Sequence, residues 1–92
     1  MTGMFAISKA GHDKGKMYII VKEENDFFYL VDGKTRTTQN PKKKKKKHVQ
    51  LIKTGISEVL AEKIKNNQTI YNEEIKFAIK VRANKEVGNV KS

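Results

Sequence analysis

The 92-residue chain predicts a mainly β domain with a helical C-terminus. Residues 1–53 read as a small barrel of about five strands. Residues 54–83 read as a helical hairpin packed on it, and 84–92 as a flexible tail. Two observations carry this reading. Short runs of β-branched and aromatic residues, separated by glycine, Asp-Gly and Asn-Pro signals, fill the first half of the chain. After Thr54-Gly55 the apolar period changes to that of a helix.

Met1 to Met4 is expected to be a loose end. Phe5 to Ser8 is the first strand, and Lys9 to Lys16 is a polar turn bracketed by Gly11 and Gly15. Lys16 to Lys22 is the second strand, with Tyr18, Ile20 and Lys22 on one face and Met17, Ile19 and Val21 on the other. Apolar residues on both faces imply a curled sheet covered on more than one side. Glu23 to Asp26 is a turn, and Phe27 to Val31 is the third strand. Asp32-Gly33 predicts a tight hairpin turn, with Lys34 to Thr38 returning as a short polar strand. Pro41 interrupts it, because proline cannot donate to a ladder. Val49 to Ile52 is the last strand. Ile56, Val59, Leu60 and Ile64 then form one helical face, ended by Asn66-Asn67. Asn72 is the expected N-cap of a second helix, with Glu73 and Glu74 in its first turn. Ile75, Ala78 and Ile79 form its buried stripe.

The chain has no cysteine, which excludes disulfides and thiolate metal sites. No basic segment followed by a long apolar one opens the chain, and no apolar run approaches the span of a bilayer. A soluble, cytoplasmic protein is expected. Net charge is +10, and it is concentrated. Residues 1–41 hold six bases against five acids, and residues 54–92 hold seven against five. Residues 42–53 hold seven lysines and no acid. So local a positive field favours a polyanion, with nucleic acid ahead of an anionic membrane surface.

Six consecutive lysines, Lys42, Lys43, Lys44, Lys45, Lys46 and Lys47, lie between Pro41 and His48. Like charges in a row repel each other, so a mobile, extended loop is expected that orders against phosphates and releases counterions. The other reading is a solvated solubility device. Lys9, Lys14 and Lys16 crowd the first turn, where Gly11 and Gly15 would let a phosphate backbone approach. Arg36 offers a bidentate phosphate contact. His12 and His48 flank basic residues and are too few for a metal site. Tyr18, Phe27, Phe28 and Tyr29 invite base stacking, although a domain this small needs aromatics in its core. One of Phe27 and Phe28 must face outward. Neither a phosphate-cradling loop nor a nucleophile–base pair is evident, so an enzyme is not expected.

Phe5 to Ser8, then Gly11, Lys14, Gly15 and Lys16, then Ile19 to Val21 resemble the KOW motif of ribosomal and transcription-associated proteins. The glycine on which that family relies falls on Gly15. Asp32-Gly33-Lys34, Pro41 to His48 and Leu51 extend the likeness. The first 55 or so residues are similar to small bacterial KOW-domain RNA-binding proteins, and through them to the ribosomal L-fourteen-e group. The resemblance implies an SH3-like barrel and a role at the large ribosomal subunit. The expected function is thus non-enzymatic RNA binding. A ribosomal or ribosome-associated protein would contact rRNA phosphates through Lys9–Lys16 and Lys42–His48. Neighbouring ribosomal proteins are expected partners, and no cofactor, metal or small-molecule substrate is. The alternatives are a transcription or RNA-processing accessory, and a module that binds proteins or anionic surfaces.

Overall fold

The computed structural model describes residues 2–52 and 58–91, with side chains as far as residue 83. The strands are β1 (Phe5–Ser8), β2 (Met17–Glu24), β3 (Phe27–Val31), β4 (Lys42–Lys45) and β5 (Val49–Ile52). A single 3₁₀ turn, Lys46–His48, joins β4 to β5, and helices α1 (Glu58–Lys65) and α2 (Asn72–Lys91) follow. The strands form one antiparallel sheet in the order β4-β3-β2-β1-β5.

β4 and β5 are thus opposite edges of the sheet, yet only the 3₁₀ turn separates them in sequence. Across a flat sheet they would lie about 19 Å apart, at about 4.8 Å per strand. The turn from Lys45 to Val49 advances only about 8 Å at a 3₁₀ rise. The sheet must therefore be strongly curled. It is not closed into a barrel, since no ladder joins β4 to β5 among the described residues.

Strand alternation sends apolar side chains to both faces, as the sequence predicts. Ala6, Tyr18, Ile20, Phe28, Leu30 and Val49 pack together on one face. Phe5, Ile19 and Val31 pack on the other, beneath Leu60 of α1 and Ile75 of α2. Burial of each such aliphatic side chain contributes about 1.5–3 kcal/mol. Both helices contribute to this one cluster, through Leu60 and Ile75, and a Lys63–Glu74 ion pair links them. Among the described residues, no helix is long and apolar enough to cross a membrane.

Several elements differ from expectation. Gly3 is no loose end, since its N–H donates to the Ile20 carbonyl at 2.8 Å. Glu23 and Glu24 belong to β2, and only Asn25-Asp26 turns, with Asn25 at φ 50°. No strand forms over residues 34–38. The Asp32 carboxylate instead accepts the N–H groups of Lys34 and Arg36, both at 2.8 Å, and the Thr35 hydroxyl at 2.9 Å. These bonds satisfy the backbone locally, in place of a ladder. The lysine run supplies the fourth strand. Val59 points outward, at 64% exposure. Tyr71, not Asn72, sits at the start of α2: its N–H donates to Glu74 Oε2 at 2.9 Å, and its carbonyl accepts the first helical bonds. The Asn72 side chain holds the preceding loop by accepting the Thr38 N–H at 3.0 Å. Helical backbone continues to Lys91, through the stretch where the sequence shows no periodicity. Ile56 and the Thr54-Gly55 signal lie outside the described residues.

Candidate nucleic-acid interface

A strand made only of lysine needs its charges compensated on one side and solvated on the other. β4 achieves both by alternation. Lys42 and Lys44 pair with Leu30 and Phe28 of β3, and they point to the same face as those residues. There they meet Asp13, from the β1–β2 turn. Its carboxylate accepts Lys44 at 2.8 Å, Lys42 at 3.0 Å, the Tyr18 hydroxyl at 2.7 Å and the Ser8 hydroxyl at 2.9 Å. Lys44 also donates to the Ala10 carbonyl at 2.8 Å. The Lys44 and Asp13 side chains are only 10% and 11% exposed.

Burial alone would raise the Asp13 pKa. The hydrogen bonds from Lys44, Tyr18, Lys42 and Ser8 outweigh it and hold the carboxyl well below the usual range. The Tyr18 phenol is pushed well up, by burial first and then by its bond to the Asp13 carboxylate. The expectation of a mobile lysine loop is therefore corrected. Asp13, together with the β3 ladder, cancels the repulsion that would have kept the run disordered.

The other lysines of the run have different fates. Lys43 and Lys45 pair with Tyr29 and Phe27 across the ladder and are exposed. Lys46 reaches back to Glu23 at 2.5 Å, which lowers the Glu23 pKa. Lys47 is exposed, and His48 is half-buried at the end of the 3₁₀ turn. The His48 carbonyl accepts the Lys9 N–H at 2.8 Å. The two basic segments singled out in the sequence thus adjoin, tied by Asp13 and by this backbone bond.

Within the first turn, Lys9, Gly11, His12, Lys14 and Gly15 are exposed. Gly15 has φ 89°, and nothing lies within 4 Å of the position its Cβ would take. The turn needs glycine there for backbone conformation and not for close packing. Lys16 is engaged internally, with Asp32 at 2.5 Å and the Thr35 hydroxyl at 2.8 Å. Arg36 is half-buried in the loop that joins β3 to β4, where its N–H donates to the Asp32 carboxylate. The Asp32 carboxyl would be raised by burial, but Lys16 and the backbone N–H groups of Arg36 and Lys34 hold it well below the usual range. A separate groove between this loop and α2 is lined by Lys34, Lys76, Phe77 and Lys80.

The organising roles of Asp13 and Asp32 were not read from the sequence. One signal was present: Asp13 is the only acid between Met1 and Lys22, and it lies in a turn beside strand tyrosine. No protein-family model matches the chain, and no curated protein matches it. The KOW resemblance rests on the residues quoted for it.

Proposed function

We propose that the chain is a non-enzymatic, cytoplasmic RNA-binding protein acting at the large ribosomal subunit. One observation carries the reading. Asp13 and Asp32 are spent inside the fold on lysines, while Lys9, Lys14, Lys43, Lys45 and Lys47 stay exposed, in no ion pair among the described residues. A fixed strand and a glycine turn hold the backbone of these lysines in place, so little chain ordering falls on binding. Recognition is of RNA shape and phosphate charge. We read the curled sheet as an SH3-like barrel left open between β4 and β5, in keeping with the KOW resemblance. Exposed Val59, Tyr71, Phe77 and Val81 on and before the helices favour a protein neighbour as well, such as another ribosomal protein or a polymerase-associated factor.

Sedimentation of the protein in lysate through a sucrose gradient, at fixed magnesium and rising monovalent salt, tests the ribosomal assignment. Co-migration with large subunits that persists at high salt is expected. Migration at the top of the gradient at low salt overturns it.

A further inference from the structure

The face of the sheet that carries Phe5, Ile19 and Val31 is only half covered. Leu60 and Ile75 close over Val31. Two residues and four residues before Val31 on the same strand face, Tyr29 and Phe27 remain half-buried. Lysines flank both rings. From β4, Lys43 places its ammonium 4.4 Å from the Phe27 ring centre and 6.0 Å from that of Tyr29. From β2, Lys22 lies 5.2 Å from the Tyr29 ring centre. Exposed Lys45 pairs with Phe27 across the ladder. Glu24 adds one negative charge, but it is committed: it accepts the Tyr29 hydroxyl at 3.0 Å and an ion pair from Lys22 at 3.4 Å. It thereby fixes the phenol. Asp26 lies beyond, in the turn.

We infer that this patch is a stacking platform for unpaired nucleotides of single-stranded RNA. The inference rests on the RNA-binding reading above and adds a ligand class to it. Residues two apart on a strand present their rings about 7 Å apart, a spacing that an extended single strand can match with successive bases. Stacking on aromatic rings tolerates any base, since every base has a π face. Arriving bases displace the ammonium groups of Lys43 and Lys22 from the rings, and these swing on their flexible stems to the flanking phosphates. Fixed rings with mobile cations on both sides suit a single strand, whose bases are free to splay, and not a duplex, whose bases are stacked away.

The test compares an unstructured oligouridine with a perfect RNA duplex, using wild type and the Phe27→Leu and Tyr29→Leu variants. Leucine keeps apolar bulk and net charge. The expected result is a loss of oligouridine affinity of roughly 5- to 150-fold per ring, with duplex affinity and salt dependence unchanged. In wild type, the ring protons of Phe27 and Tyr29 should shift upfield when oligouridine is added. That measurement needs no variant to fold. Oligouridine binding that both variants retain, or unshifted ring protons, overturns the platform and leaves RNA binding standing. Wild type that binds duplex but not oligouridine does the same. Wild type that binds neither overturns both readings.

Discussion

Asp13 is the residue on which the lysine strand depends. It is one carboxylate facing two part-buried ammonium groups. Removing the shared carboxylate costs up to about 3 kcal/mol, below most of the range for a buried pair, because Lys42 can turn to solvent while Lys44 is left largely uncompensated. Asp13→Asn is therefore expected to lower unfolding free energy in urea by about that much. Lys44→Met should cost less, since Asp13 keeps Lys42, Tyr18 and Ser8 as donors. The same carboxylate sets an acid limit. Asp13 and Asp32 both have folded pKa values well below the ordinary aspartate value of 3.8, so the unfolded chain takes up protons more readily. Their contribution is complete above that value and is lost as pH falls through the folded pKa values. Thermal melts below about pH 5 should show a steady decline, shallower in Asp13→Asn. Little of this was legible in the sequence, where an acid between two glycines looks like an ordinary turn residue. Its significance depends on Lys42 and Lys44 arriving from far along the chain.

At the scale of elements, legibility followed periodicity. β1, β3 and β5 lie where their apolar runs predict them, and Leu60, Ile75, Ala78 and Ile79 face the sheet as their spacing requires. The lysine run has no period to read. Its alternation into part-buried and exposed residues is imposed by pairing with β3 and by Asp13. The turn after β3 misled for a similar reason, because Asp32-Gly33 suits a hairpin by backbone preference while the Asp32 side chain selects a broad loop. Lysines on an edge strand also discourage pairing with another chain. Two measurements check these elements. Amides of β4 that donate to β3 should be protected in hydrogen exchange, where a mobile loop would exchange at once. Gly33→Ala should be far more destabilising than Gly15→Ala. Both positions have positive φ, a strain of about 1–2 kcal/mol for alanine. At Gly33 alone the added carbon would also come 2.5 Å from the Asn72 carbonyl oxygen, against the start of α2. Urea midpoints of the two variants give the comparison.

For the whole molecule, the fold divides an excess of base that is already concentrated in residues 42–53 into inward and outward charges. Acids at positions 13, 23 and 32 each take a lysine that would otherwise face solvent. Among the outward lysines, Lys9, Lys14, Lys43, Lys45 and Lys47 lie along β4, the 3₁₀ turn and the β1–β2 turn, while Lys34, Lys76 and Lys80 line the groove beside α2. Net charge and the position of the run were plain from the sequence; which lysines of the run remain available was not, because that division is made by contacts distant in sequence. The central claim is that the outward lysines of the run, and not the run as a whole, hold RNA phosphates. The most direct test is the salt dependence of binding to a folded ribosomal RNA fragment, comparing wild type with Lys43→Gln/Lys45→Gln/Lys47→Gln. Each lost phosphate contact flattens the log–log slope by about 0.7–0.9. The account predicts a slope shallower by about 2–3, with the fold intact by circular dichroism. An unchanged slope at unchanged affinity would contradict it.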